Sequence, residues 1–303
     1  MNALIIGYGS IGKRHYEVLG QIDLIEKIDI VTAQMLTDIT TFKTLADVEN
    51  LDGYDYFVIA SETSKHFEQI EYLENHTKNK TILCEKPLFD EWRDVEVKNN
   101  SIYVGYVLRF HPLIQEMRSM IKEETILSAQ IICGSYLPTW RPGSDYRKSY
   151  SASKKLGGGV LLDLSHEIDY AQWLFGAVSD ICSMQSKVSD LEIDSDDLVV
   201  ATGKTEKGVV FGMSLDYISK VPMRELNIHT NEKTIRADLI HNTMIIGTKD
   251  GSIEVIDIAK FDRNDLFLKM HLAALGNKES LCTLTEALCV MKTISIIQGQ
   301  NNG

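Results

Sequence analysis

Cysteine, proline and cationic charge are all scarce in this chain of 303 residues. Its five cysteines, Cys84, Cys133, Cys182, Cys282 and Cys289, are odd in number and scattered, with no C-x-x-C pair. That pattern excludes a disulfide framework and a cysteine-based zinc site, and reads as reduced thiols in a cytoplasmic protein. Five prolines and no low-complexity tract leave no long linker, and no internal repeat is seen. No apolar run reaches the roughly 20 residues of a membrane span. No basic leader precedes the first apolar run, so neither a membrane anchor nor a signal peptide is expected. Lysine and arginine number 31 against 43 aspartates and glutamates, a formal net charge of −12. This excludes the basic stripe that a nucleic-acid surface requires. What remains is 44% hydrophobic and 24% charged, enough core for two domains of ordinary size.

The chain is organised around its opening, MNALIIGYGSIGKRH. Ala3 to Ile6 is a fully apolar run, the mark of a strand buried on both faces of a parallel sheet. It ends in Gly7, Gly9 and Gly12, spaced G-x-G-x-x-G, and leads into a helical stretch from Ile11 to Leu19. Gly7 suits the tight turn, Gly9 the close approach of a pyrophosphate, and Gly12 the packing of helix on strand. The backbone N–H groups around Ser10 and Ile11, at the helix start, would face the phosphates. The expected cofactor is therefore NAD or NADP. The second strand, Lys27 to Thr32, runs into Ala33 and Gln34 without the acid that binds a ribose or the arginine that binds a 2′-phosphate. The choice between the two cofactors stays open, with Arg14 as a candidate phosphate contact or simply a solvated charge.

Further strands are expected at Tyr54 to Ala60, Thr81 to Cys84 and Ile102 to Val107, with a helix from about His66 to Asn75. This alternation predicts a doubly wound parallel sheet, with a stub helix or an irregular connection between Pro87 and Ser101. Beyond about residue 122 the rhythm changes. Strands are expected over 126–136, 198–205, 208–216, 225–230, 234–238, 243–247 and 252–257, several joined by short turns such as Lys249-Asp250-Gly251. Helices are expected over 159–174, 264–275 and 284–297. The fold class is thus α/β: a Rossmann domain over 1–122, then an α+β domain with an open, mostly antiparallel sheet over 123–303. The free face of that sheet predicts a homodimer or homotetramer.

The chemistry collects in a few short stretches. Glu85-Lys86-Pro87 follows a buried strand at its C-terminal end, where open α/β sheets bind ligands. A lysine there can hydrogen-bond a reacting oxygen and stabilise the alkoxide that appears as hydride leaves. Asp163 and His166 fall three apart in an expected helix, so both would lie on one face. A histidine suits proton transfer near neutral pH, and the aspartate can orient it or hold a substrate hydroxyl. The stretch YLPTWRPGSDYRKSYS, residues 136–151, is rich in arginine and aromatic rings. Arg141, Tyr146, Arg147 and Tyr150 could grip an anionic group and stack on a sugar, or equally anchor a long loop. Arg109, after the fifth strand, is a further candidate substrate contact.

In order, GYGSIGKRH, ASETSKH, CEKP and GGGVLLDLSHEID resemble the Gfo/Idh/MocA oxidoreductases, which include glucose–fructose oxidoreductase and inositol dehydrogenases. The resemblance implies that Lys86 is catalytic, with His166 and Asp163 beside it. It places His66 on the ribose side of the cofactor, and Ser61, Glu85 and Lys86 itself complete the expected cofactor set. The family spaces its aspartate and histidine four apart, in D-x-G-x-H, whereas Asp163-Leu164-Ser165-His166 is one residue shorter. The activity implied is an NAD(P)-dependent exchange of a secondary hydroxyl and a ketone on a sugar, cyclitol or nucleotide-sugar. No metal is expected, because the lysine supplies the charge. The rival readings are reduction of a C=C or C=N bond, and a dinucleotide-binding sensor or scaffold without turnover.

Overall fold

The computed structural model describes residues 1–299. Its first elements are β1 (Asn2–Ile6), α1 (Ser10–Leu19), β2 (Lys27–Val31), β3 (Thr41–Phe42), β4 (Tyr56–Ile59), α2 (His66–His76), β5 (Thr81–Cys84) and β6 (Ser101–Val104). Then come α3 (Pro112–Met120), β7 (Ile126–Gly134), α4 (Val160–Asp163), α5 (His166–Phe175), β8 (Val178–Ser186), β9 (Leu198–Thr205), β10 (Val210–Asp216) and β11 (Met223–Thr230). The chain ends through β12 (Lys233–Asp238), β13 (Thr243–Thr248), β14 (Ile253–Asp257), α6 (Arg263–Leu275), β15 (Cys282–Thr283) and α7 (Leu284–Gly299). Among the described residues no helix is long and apolar enough to cross a membrane.

Two compact units emerge. The first is Met1–Phe110 together with Phe261–Leu288; the second is His111–Lys260 with the chain from Cys289 onward. The returning segment belongs with the first unit for a packing reason. Leu266, Phe267, Met270 and Ala274 of α6 join Ala3, Ile5, Val18, Ile30, Tyr56 and Val58 in one apolar cluster. The expected boundary near 122 therefore differs on two counts, since α3 goes with the second unit and α6 with the first.

In the first unit the seven strands run β15-β6-β5-β4-β1-β2-β3, all parallel except the β15–β6 pair. Ala3, Leu4 and Ile5 in β1 are wholly buried, as a run flanked by strands and covered by helices must be. The register matters for function. Ile6 lies opposite Ile59, Ile59 opposite Cys84, and Cys84 opposite Val104. The glycine loop, Ser61, Glu85-Lys86 and Gly105 consequently leave the sheet along one edge, the carboxyl edge where such sheets bind ligands. The connection between β5 and β6 contains no helix.

The second unit is an eight-stranded sheet ordered β14-β13-β12-β11-β7-β10-β9-β8, antiparallel except for β7 with β10. Ala129, Ile131, Val199, Phe211, Met213 and Leu226 are buried on its inner face, where α5 packs on β7. Two features depart from the sequence expectation. Strand β8 was not foreseen. The expected single helix over 159–174 is two helices, interrupted at Leu164 and Ser165.

Candidate functional site

The three glycines of the first loop have separate and visible reasons. Gly7 sits at φ +100, and a Cβ there would lie 2.6 Å from the Ala60 carbonyl oxygen and the Ser61 nitrogen. A Cβ on Gly12 would stand 2.2 Å from the Gly7 oxygen, so helix and turn could not approach. Gly9 differs, for a Cβ there meets nothing within 4 Å. It is also the N-cap of α1, whose first turn has no acidic residue and no side-chain cap. Open space beside uncapped N–H groups at Ser10 and Ile11 is a cradle for a phosphate. The residues present therefore fit a dinucleotide.

Other expected cofactor contacts have partners of their own. Arg14 donates from Nε to Asn264 at 3.0 Å and lies over the Phe267 ring, both on α6. Ser61 donates to Gln69 at 2.7 Å. His66 is 1% exposed, with Nδ1 3.2 Å from the Pro87 and Leu88 carbonyls and Nε2 3.3 Å from that of Ser61. Burial lowers its pKa despite those carbonyls, so the ring is neutral and ties the turn after β4 to the turn after β5. Gln34 donates to the Tyr8 carbonyl at 3.0 Å and so braces the glycine loop from the end of β2.

Lys86 lies two residues past the end of β5, and its peptide bond to Pro87 is cis. Its backbone N–H donates to Glu85 Oε2 at 3.2 Å. Burial alone would raise the Glu85 carboxyl, but the hydrogen bond from His15, with the charge of Lys86 adjoining, holds it below the usual carboxylate range. Arg109 is 1% exposed and its guanidinium bonds the Leu281 carbonyl at 3.2 Å and Glu286 at 3.1 Å, fastening the returning segment to the first unit.

In the second unit the triple glycine shapes the surroundings of Asp163. A Cβ on Gly158 would lie 2.0 Å from the Tyr150 carbonyl oxygen, and one on Gly159, at φ +129, 2.2 Å from Asp196 Oδ1. Only glycine admits both neighbours. Asp196 accepts from the Leu161 N–H at 3.1 Å, which starts α4 and carries the chain to Asp163. Asp163 is 7% exposed and accepts the Tyr217 hydroxyl at 2.5 Å. Tyr150 also bonds to this carboxylate; burial and Asp163 raise both phenols, which stay protonated donors. Arg141 lies 5.3 Å over the Tyr150 ring, and Trp140 meets Tyr217 edge-on at 5.1 Å. Asp163 is thus the centre of a small aromatic and cationic cluster.

His166, 8% exposed, opens α5 after the break at 164–165, so it and Asp163 stand on successive helices rather than one face of a single helix. The next residue, Glu167, is fully buried and pairs with Arg224 of β11 at 2.8 Å, which pins the start of α5 to the sheet. Among the loop residues, Arg147 pairs with Asp145 at 2.8 Å and Glu192 at 3.0 Å, and the Tyr146 hydroxyl accepts from the Glu192 N–H. These two brace the loop. Trp140, Arg141, Ser144 and Lys148 help line a cavity of about 300 Å³ within it. Tyr217 was missed by sequence reasoning, since it lies in an unremarkable strand end 54 residues from its partner.

A parallel sheet whose glycine loop fits a dinucleotide, together with a second unit built on an eight-stranded sheet, marks a dinucleotide-binding protein by class. Residues 1–98 match the model of an oxidoreductase family with an NAD-binding Rossmann fold, and residues 114–236 match the Gfo/Idh/MocA C-terminal domain. The chain belongs to the Gfo/Idh/MocA family, and it is an enzyme that uses NAD(P). Solved structures share its fold over nearly the whole length. UDP-N-acetylglucosamine 3-dehydrogenase GnnA from Acidithiobacillus ferrooxidans is 19% identical, with TM-score 0.78 over 99% of this chain and 97% of that one. Levoglucosan dehydrogenase, in complex with NADH and levoglucosan, is 16% identical, with TM-score 0.83 over 100% and 97%. The WlbA dehydrogenase from Bordetella pertussis, in complex with NADH and UDP-GlcNAcA, is 17% identical, with TM-score 0.78 over 100% and 96%. Among curated protein sequences none matches.

Proposed function

We propose that this enzyme interconverts a secondary hydroxyl and a ketone on a sugar, cyclitol or nucleotide-sugar. The observation that carries the reading is Asp163 with its two phenol donors, a buried carboxylate ringed by Tyr150, Tyr217, Arg141 and Trp140. Stacking rings beside polar donors suit a polyhydroxylated substrate. The three solved relatives, by their names, act on or bind sugars or a nucleotide-sugar, which supports the same class. Gly7, Gly9, Ser10, Ile11 and Gly12 would hold the pyrophosphate of the dinucleotide, whose nicotinamide ring would supply or accept the hydride. Lys86 stabilises the alkoxide that the substrate oxygen becomes. His166 moves the hydroxyl proton, and Asp163 fixes the orientation of the groups around it. Arg141 and Tyr150 contact the substrate.

The test combines a panel of sugars and nucleotide-sugars, read through nicotinamide absorbance, with two variants. Lys86→Ala is expected to keep cofactor affinity nearly intact and to lose most turnover, because its charge matters chiefly in the transition state. His166→Ala is expected to cost about 100- to 10,000-fold, the range for one general acid–base group. If His166→Ala runs near the parent rate while Asp163→Ala is inactive, the proton belongs elsewhere.

A further inference from the structure

Behind Glu85 lies a file of polar side chains that the proposed reaction does not use. His15 Nε2 is 2.9 Å from Glu85 Oε1, and His15 Nδ1 is 2.9 Å from His271 Nε2. His271 Nδ1 is in turn 2.9 Å from the Tyr56 hydroxyl. His15, His271 and Tyr56 are each 0% exposed. Four elements or their ends supply the four groups: α1, the turn after β5, α6 and β4. Gly105 leaves room for them, since a Cβ there would lie 3.0 Å from Glu85 Oε1.

Valence fixes the direction of the file. Glu85 Oε2 accepts the Lys86 backbone N–H, and Oε1 faces His15, so an ionised carboxylate serves both contacts. With His15 donating from Nε2, its Nδ1 is an acceptor and must receive the Nε2–H of His271. His271 Nδ1 then accepts the Tyr56 hydroxyl. Every polar atom in the file has its complement. Adding a proton to His15 would reverse the two bonds behind it and turn the Tyr56 hydroxyl proton away from the rings, inside a dry core. Burial holds His271 well below the ordinary histidine range and raises Tyr56. Cys84 and His66 also sit within the field of Glu85, and burial keeps the first a thiol and the second neutral, so neither adds charge.

We infer that Tyr56, His271 and His15 form a one-way hydrogen-bond chain that holds the Glu85 carboxylate fixed beside Lys86. The three are then positioning residues for that lysine, and Glu85 is the counter-charge beside it. This rests on the reading of Lys86 given above. The same chain ties the glycine-loop helix to the lysine turn, so the cofactor cradle and the charged group move together.

Isotope-edited NMR of the histidine side chains in the full-length protein reads the direction. His15 and His271 are both expected as Nε2–H tautomers. A second readout follows the Lys86 amine itself after reductive methylation with labelled formaldehyde, its resonance assigned with Lys86→Arg. Glu85→Gln should lower the Lys86 pKa by about one unit, a tenfold change in its ionisation constant. His271→Leu should lower it by less, and His271→Gln, whose side-chain N–H replaces the donor, should restore it. An imidazolium at His15 near neutral pH, or a Lys86 titration indifferent to Glu85→Gln, overturns the inference. A glutamine at 271 that does no better than leucine makes His271 merely structural and overturns its part. Neither readout needs turnover, so a failure here is distinct from a Lys86→Ala variant that stays active.

Discussion

Asp163 accepts from two phenols, and the bond from Tyr217 is open to test. The Tyr217 hydroxyl donates at 2.5 Å to Oδ2 from a side chain that is itself wholly buried. A hydrogen bond to an ionised group contributes about 1.5–3 kcal/mol. Tyr217→Phe should therefore lower kcat/KM by about 10- to 100-fold while cofactor affinity, measured by calorimetry, stays put. An unchanged rate would mean that Asp163 does not work through this bond. A second expectation concerns acid. His66 and His271 are held neutral by burial, so their folded pKa values lie below the unfolded value of about 6.5. Each binds a proton in the unfolded chain first. Their contribution is complete above about pH 6.5 and falls by about 1.4 kcal/mol per pH unit for each below it, until the folded value is reached. Urea midpoints that do not fall between about pH 7.5 and 5.5 would contradict this. The glycine turn between β1 and α1 was legible because local spacing defines it. Tyr217 and His271 were not, because their partners lie 54 and 256 residues away. His15 alone carried a hint: with Gly12 and Leu19 it lines the buried stripe of α1.

Among the elements, α1 gives the clearest separation of folding from binding. Gly9 and Gly12 look equivalent in the motif, yet the spaces around them are opposite. A side chain at 9 projects into open space, whereas one at 12 strikes the Gly7 carbonyl oxygen. Gly9→Val should abolish dinucleotide binding and leave the melting temperature close to that of the parent. Gly12→Ala should lower the melting temperature outright, since backbone on both sides must move. Calorimetric titration beside thermal unfolding checks the pair, and a Gly9→Val protein that still binds would remove the pyrophosphate from this loop. Five of the seven strands of the first sheet were legible for the reason α1 was, short apolar runs ending in turn residues; β3 and β15, two residues each, were not. Strand β8 was not, since Val-Ser-Asp-Ile-Cys-Ser-Met-Gln-Ser offers one buried residue, Ile181, and little alternation. The break between α4 and α5 was equally hidden. Leu164 and Ser165 have no helix-breaking character, and it is the closed-in surroundings of α4, with Asp196 at its start and Glu167 pinned to Arg224 beyond it, that stop one helix and begin another.

At the scale of the whole molecule, the second unit presents an outer sheet face that ordinary alternation does not explain. An antiparallel sheet with one face on its core exposes polar residues on the other. Here Met184, Val200 and Val210 on β8, β9 and β10 are 73%, 47% and 51% exposed. Ile245, Ile253 and Val255 on β13 and β14 are 40%, 74% and 55% exposed. The cross-strand register puts each group on one face, with Met184 opposite Val200 and Ile245 opposite Val255. Between the two apolar ends the same face carries Gln130 and Asn227, which lie opposite each other. Two apolar ends flanking a polar middle can meet their own copy across a two-fold axis, each end finding an apolar partner and the amides facing one another. We propose that this face docks on a second copy, as the free sheet face in the sequence implied. Light scattering of the parent at high micromolar concentration should give a dimer or a tetramer. Val200→Glu with Val210→Glu sets like charges at one apolar end, and should shift the population to monomer while each unit keeps its fold by circular dichroism. A parent that is strictly monomeric, or a doubly charged variant with an unchanged mass, would leave the apolar ends without a second copy to cover them.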